Sequence, residues 1–334
     1  MAKPALTDYV TLIFTLFDKF EQQMNQETVK KGKPFTFAQK CFIVLFVMLH
    51  FRHIFKFKAQ KRWLKEHPEM LHLLKWERVP HRTTFSRRYK ALYPTLQSFI
   101  AFTGQEVAGL GDEFANLHLV EDKSLFKAQG PVWHQSDRKV GRIPDKLRRL
   151  DTEATWGKSA YQGWVYGYGQ HLTCTEAAFP KLVQVETATI KESQVIDDKA
   201  ETILHQLRPI TLAADNGYAK AMRIRSWAQQ GVILLTPATK WVKGRFAQAY
   251  HRFLRGDDNR QRLKCRRTSV EPLFDLIAQV LGCEGENKQL PVQGLPNVRT
   301  CLSLATLTVQ ISMIMNSMWH LPLRNVSHMR AVFS

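Results

Sequence analysis

The spacing of apolar and polar positions changes character about a third of the way along the chain. In the first hundred residues the apolar positions come in blocks. Leu12, Phe14, Leu16 and Phe17 form one, Phe37 to Phe51 a second, and Trp63 to Leu74 a third that Pro68 interrupts. These blocks predict helices. Beyond Pro80, Phe85, Tyr89 and Leu92 recur at helical spacing, with Thr83 or Thr84 as the N-cap. Arg87, Arg88 and Lys90 occupy the other faces of that short helix, and Arg82 stands at its start. A basic helix after a turn suits the second helix of a helix-turn-helix unit, and it also suits a solvated face of an all-α packing domain.

From about residue 115 the pattern becomes mixed. Leu117 to Val120 reads as a strand leading into Asp122. Trp164 to Leu172 alternates small and large residues and reads as a second strand, with Lys181 to Thr189 as its neighbour. Pro209 to Ala214 is a buried-strand candidate ending at Asp215. Gly217 to Gln230 reads as a helix and Gly231 to Pro237 as a further strand. A helix then starts near Ser269, where Val270, Leu273, Phe274, Ile277 and Leu281 follow the 3.6-residue period. Pro272 would fall in its first turn, where a missing N–H is tolerated. Residues 301–319 are apolar but interrupted by Ser, Thr, Gln and Asn, and predict a buried helix. The result is an α/β fold, a mixed sheet flanked by helices and preceded by an all-α domain. The predicted boundaries are 1–115, 116–300 and 301–334.

Charge narrows the function. Lys plus Arg number 48 against 29 Asp plus Glu, a net +19, which favours a polyanionic partner. The first hundred residues carry 18 Lys/Arg and 7 Asp/Glu, more than half of that excess. Residues 240–267 hold ten Lys/Arg with little apolar content, and predict a basic connector that is a loop without DNA and clamps phosphates with it. The five cysteines, Cys41, Cys174, Cys265, Cys283 and Cys301, show no C-x-x-C pair, so free thiols are expected. The N-terminus lacks a signal-peptide pattern, and no apolar run is long and clean enough to suggest a membrane span. A cytoplasmic protein, nucleoid-associated and without a membrane partner, is expected.

Three carboxylates then carry the chemistry: Asp122 in Val120-Glu121-Asp122-Lys123-Ser124-Leu125, Asp215 in Leu212-Ala213-Ala214-Asp215-Asn216-Gly217-Tyr218, and Glu271 in Arg266-Arg267-Thr268-Ser269-Val270-Glu271. Each alone has an ordinary structural reading, an acid closing a turn or facing a helix dipole. The order strand-Asp, strand-Asp, helix-Glu within basic sequence is far more specific. Adjacent strand residues point to opposite faces, so only one of Glu121 and Asp122 can join the other two acids.

On these segments, and on Gly167-Tyr168-Gly169-Gln170-His171, the chain resembles the DDE transposases of bacterial insertion sequences, which have an RNase H-like catalytic domain. The Asp122 segment is similar to that family's first-strand motif, and the Asp215 segment to its second. The Glu271 segment is similar to its Glu helix, with an Arg four residues before the Glu. The chain departs from one subgroup: its Tyr and Lys would fall at Lys264 and Ala278. The resemblance implies Asp122, rather than Glu121, as the first acid. It also implies that Asp122, Asp215 and Glu271 hold two Mg²⁺ ions, with Mn²⁺ able to substitute. It further implies cleavage at the ends of a mobile element, joining of the 3′-OH ends to target DNA, and a homodimer on double-stranded DNA. Arg267, Arg266 and Lys264 near the Glu, with Arg82, Arg87, Arg88 and Lys90 in the helical segment, are the candidate DNA contacts. Trp133, Trp156, Trp164, Tyr161, Tyr166 and Tyr168 offer either base stacking or core packing. His134 and His171 are expected to be ordinary hydrogen-bonded histidines. Competing readings are an RNase H-fold nuclease that does not join strands, and a DNA-binding protein whose catalytic domain has decayed.

Overall fold

A computed structural model describes residues 3–27, 36–159, 162–237, 242–285 and 288–334. The first third is helical, as its apolar blocks predict: α1 Leu6–Glu27, α2 Gln39–Phe51, α3 Phe57–Glu66, α4 Glu69–Leu73, α5 Arg82–Ala91, α6 Tyr93–Glu106 and α7 Asp112–Ala115. Pro68 separates α3 from α4. Helix α2 is buried from Cys41 to Phe51, which explains why it is apolar all round rather than striped. Helix α1 presents Phe17 and Phe20 to Phe99 of α6, with ring centroids 5.0 and 5.5 Å away. Helix α5 begins at Arg82, one residue before the expected caps. The His81 side chain accepts the Thr83 N–H and takes the N-cap role foreseen for Thr83 or Thr84.

The sheet contains β1 His118–Lys127, β2 Thr155–Ser159, β3 Gly163–Thr175, β4 Pro180–Thr187, β5 Thr211–Ala213 and β6 Ile233–Leu235. Strand β1 is flanked by antiparallel β3 and parallel β5, and β6 extends the parallel side. Successive stretches of β3 pair with β2 and β4. Strand β2 carries Trp156, Gly157 and Lys158 and has no clean alternation that sequence reading could use. Gly157 is required where it lies. A Cβ there would meet the Ala188 carbonyl oxygen at 2.7 Å.

Between and after the strands come α8 Gln135–Lys139, α9 Glu192–Asp198, α10 Ala221–Gln229, α11 Gly244–Leu254, α12 Asp257–Leu281, α13 Leu295–Met318 and α14 Ser327–Phe333. The helix expected over 217–230 is divided, with a tight 3₁₀ turn Asn216–Tyr218 preceding α10. Two expectations about the basic segment fail. Within residues 242–267 the chain is helical, forming α11 and the first half of α12; residues 240 and 241 lie outside the described part. Helix α12 starts at Asp257 and not near Ser269, so Pro272 sits in its interior. A proline there deprives the Thr268 carbonyl of its usual N–H partner. Arg324 supplies the missing donor, its Nη1 lying 3.2 Å from the Thr268 oxygen.

One apolar cluster takes in α1, α2, α5, α6, one face of the sheet through Val120, Phe126, Leu172 and Val185, and helices α12 and α13. On the other face, Leu119, Leu212 and Leu234 pack with Ile224 and Trp227 of α10 and Tyr250 of α11. Helix α13 is long and apolar enough to cross a membrane by composition, yet 94% of that stretch is buried inside the protein. Some of its buried hydroxyls are bonded within the helix. Thr306 and Thr308 donate to the carbonyls of Leu302 and Leu304, four residues back, whereas Thr300 donates to the Tyr89 carbonyl of α5.

Candidate active site

Alternation along β1 decides which of two adjacent acids is available. Glu121 points with Leu119 toward α9, where it is fully buried. There it accepts a hydrogen bond from Thr173 Oγ1 and ion-pairs with Lys199 Nζ at 2.8 Å. Burial pushes the Glu121 carboxyl up and the Lys199 ammonium down, each opposed by the other's charge. Asp122 points with Val120 and Phe126 toward α12. There one carboxylate oxygen accepts the Lys123 N–H at 2.8 Å, and the other is ion-paired with Arg266. Burial pushes Asp122 up to about 7, opposed by Arg266 and aided by the nearby charge of Asp215.

Asp215 lies two residues past the end of β5. Strand β5 lies parallel to β1 with Val120 opposite Ala213, so Asp215 and Asp122, each two residues further on, reach a similar level on neighbouring strands. Its Oδ1 accepts the Gly217 N–H at 2.8 Å and closes the 3₁₀ turn. Glu192, at the start of α9, lies beside it. A Cβ on Gly217 would meet Glu192 Oε2 at 2.9 Å and Asp215 Oδ1 at 3.1 Å. A side chain at 217 would therefore push the Glu192 carboxylate aside, although the φ of Gly217 is ordinary.

Two further cations hold this arrangement. Lys123 Nζ donates to the carbonyls of Ala188 and Ile190 and lies 3.8 Å from Glu192 Oε1. Arg223 is buried in α10 and binds Asp197 of α9, the Ser193 carbonyl and the Tyr218 carbonyl. The turn that carries Asp215 is thus tied to the helix that carries Glu192. Sequence reading passed over Arg223, Lys123 and Glu192. The available signal was an arginine at position 223, beside Ile224 on the inward stripe of α10, where a lysine or arginine needs a partner.

Glu271 is placed differently. Arg266 shares a stripe of α12 with Val270, Leu273 and Ile277, all facing the core. Five residues on, Glu271 lies about 140° around the helix from Arg266. It is exposed, on the same outward side as Lys264 and Arg267. Among the described residues, no three His, Cys, Asp or Glu side chains are grouped so as to hold a metal ion. Asp122 in β1 and Asp215 just past β5 thus belong to neighbouring strands, and neither Glu271 nor Glu192 completes a three-acid cluster with them.

The other candidates divide. Arg82, Arg87 and Lys90 of α5 are exposed. Arg88, foreseen as a DNA contact, instead packs its guanidinium against the Phe42 ring, 5.9 Å from the centroid, and reaches the Phe37 carbonyl. The periodicity of Phe85, Tyr89 and Leu92 could not show that a fourth face of α5 also meets protein. Tyr166 and Tyr168 are buried and donate to Asp151, and Trp156 Nε1 donates to the Trp133 carbonyl, so core packing holds for these. Trp164 is 64% exposed. Tyr161 lies outside the described residues. His171 is buried with its Nδ1 3.4 Å from the Tyr218 hydroxyl, and burial beside Lys199 and Lys123 pushes it well down.

A transposase DDE domain matches residues 117–287, just over half of the chain. The protein belongs to that family of transposases. The matched segment holds both aspartates, the whole sheet, and helix α12 with Glu271. No curated protein and no solved structure matches the chain.

Proposed function

We propose that this transposase cleaves DNA at the ends of an insertion sequence and joins the 3′-OH ends to target DNA at Asp122 and Asp215. The observation that carries the reading is the placement of those two carboxylates on neighbouring parallel strands within the family segment. The strand order supports an RNase H-like sheet: three antiparallel strands, then two parallel to the first on its other side.

The donor set fits Mg²⁺ in part. Hard divalent cations take carboxylate oxygens, and Asp122 and Asp215 supply two such groups whose charges already feel one another. When bound, the metal would lower the pKa of a water or 3′-OH nucleophile and offset charge on the departing oxygen. The chain's own residues do the rest. The Gly217 N–H fixes the Asp215 carboxylate, the Lys123 N–H fixes that of Asp122, and Arg266 neutralises Asp122 in the resting protein. Arg267 and Lys264, exposed one turn or more before Glu271, are placed to hold backbone phosphates. Two ends must be brought together, so a homodimer on DNA is part of the proposal, as is a cytoplasmic location.

The third oxygen ligand has two candidates. Family resemblance assigns Glu271, which requires α12 to turn its outward face toward the aspartates. Glu192 is already beside Asp215. Nicking of supercoiled plasmid in Mg²⁺ tests both questions. Wild-type nicking that disappears in Asp215→Asn is the expected result, and an Asp215→Asn protein that nicks normally would end the proposal. Loss of nicking in Glu271→Gln with retention in Glu192→Gln assigns Glu271; the reverse assigns Glu192.

A further inference from the structure

A groove of about 1040 Å³ lies between the helical segment and the chain that leads into α13. Lys56, Lys58, Arg82, Arg87 and Lys90 line it, and no Asp or Glu does. All five cations are exposed, and among the described residues no ion pair reaches any of them. Elsewhere on this protein, partly exposed cations such as Lys40, Arg262 and Arg299 are paired with acids. Five unpaired cations around one concavity repel each other, and an anion that enters relieves the repulsion.

Backbone groups add to that field. The ten-residue helices α3 and α5 both begin at the groove, through Lys56 to Lys58 and through Arg82 and Thr83. No side chain caps the N-terminus of α3, so its first N–H groups stay free for a ligand. Helix α13 also begins there, but its first amides are already taken by Asp151 and Glu153, which makes that wall structural. The floor is fixed by Gln293, whose side chain donates to the carbonyls of Gln129 and Arg149.

We infer that this groove binds the phosphate backbone of duplex DNA away from the reacting strand end. The inference rests on the DNA-processing reading above. Its occupant is named by charge complementarity: a surface of five cations and the uncapped N-terminus of α3, too open for a small anion, suits a repeating polyanion. Distance sets the register. Gln129 borders the groove and follows Asp122 by seven residues, the first five along β1 and the last two past its end. At about 3.3 Å per residue the separation is at most roughly 23 Å. That corresponds to about seven base pairs of B-form duplex at 3.4 Å each.

The test is binding of a fluorescent duplex in EDTA, titrated over a range of salt, so that no cleavage chemistry enters. Lys58→Gln/Arg87→Gln/Lys90→Gln is expected to weaken binding more than tenfold at moderate salt. It should also flatten the log–log salt slope by about 2.7, three phosphate contacts at about 0.9 each. Arg208→Gln/Arg225→Gln, on the other side of the sheet, serves as the comparison and should change the slope little. Unchanged affinity and slope in the triple variant would overturn the inference, as would an equal loss per charge in the comparison variant. Wild-type plasmid nicking that depends on Asp215, with triple-variant binding unaltered, sinks the groove and leaves the active site standing. Binding lost in the triple variant, with no nicking by any protein, supports the groove and counts against the active site.

Discussion

At the scale of single residues, the pair Glu121 and Asp122 shows how one step along a strand separates structure from chemistry. Glu121 is satisfied by Lys199 and Thr173 inside the protein, whereas Asp122 meets a cation that a ligand can displace. Lys199→Met should therefore leave a buried carboxylate without its partner. A loss of about 3–5 kcal/mol is expected in urea unfolding. Replacing both, Glu121→Gln with Lys199→Met, should recover most of it, because the desolvation cost disappears along with the attraction. The alternation rule was enough to show that only one of these acids could join Asp215. It could not show what each acid touches, because Lys199 comes from a helix distant in sequence. Asp215 was readable because an apolar run ends at it and a turn follows. The outward direction of Glu271 was not, since the rotation of a helix depends on which of its stripes finds the core.

At the scale of elements, α12 was misread at its N-terminal half. Residues 257–268 are dominated by charge, which hides a helix whose apolar stripe begins only at Val270. Pro272 then looked like a first-turn residue. The fold accepts it in mid-helix because Arg324 bonds the carbonyl that the proline leaves free. Pro272→Ala should restore the intrahelical bond and raise stability by about 1–3 kcal/mol, measurable by thermal melting. Arg324→Met in the native background should cost about 0.5–1.5 kcal/mol, the net worth of a hydrogen bond, because the Thr268 carbonyl is exposed and water can take the place of the guanidinium.

Helix α2 offers a pH test. His50 is fully buried against Tyr89, and burial pushes its pKa down to about 3. An unfolded histidine takes up a proton near its ordinary value of 6.5. The stabilisation from neutral His50 is thus complete above 6.5 and is lost as pH falls from there toward about 3. Urea melts should show a loss of about 2–3 kcal/mol between pH 7 and about pH 4.5, and His50→Gln should remove that portion of the slope.

At the scale of the whole molecule, the helical segment, one face of the sheet and the C-terminal helices share a single apolar cluster. The division at 115 and 300 that composition suggested falls within a common core. Lys181 of β4 reinforces the joint by donating to carbonyls of Gly104 and Phe114. A fragment limited to residues 117–287 should expose the face covered by α6 and α13. It should bind a hydrophobic dye and lack a sharp thermal transition, whereas the full chain melts in one step by both tryptophan fluorescence and circular dichroism. A fragment that melts sharply would show that the family segment closes its own core.

The depth of α13 also sets an order of events during synthesis. Helix α6 and strand β4 wait for a partner encoded more than a hundred residues downstream of either. At 5–20 residues per second, the ribosome needs roughly 10–40 s to travel from α6 to α13. Throughout that interval the nascent chain carries an uncovered apolar surface, and its first third cannot complete its own packing. A premature stop between residues 272 and 294 would then yield a chaperone client or an aggregate, even though every acid of the candidate site had already been translated.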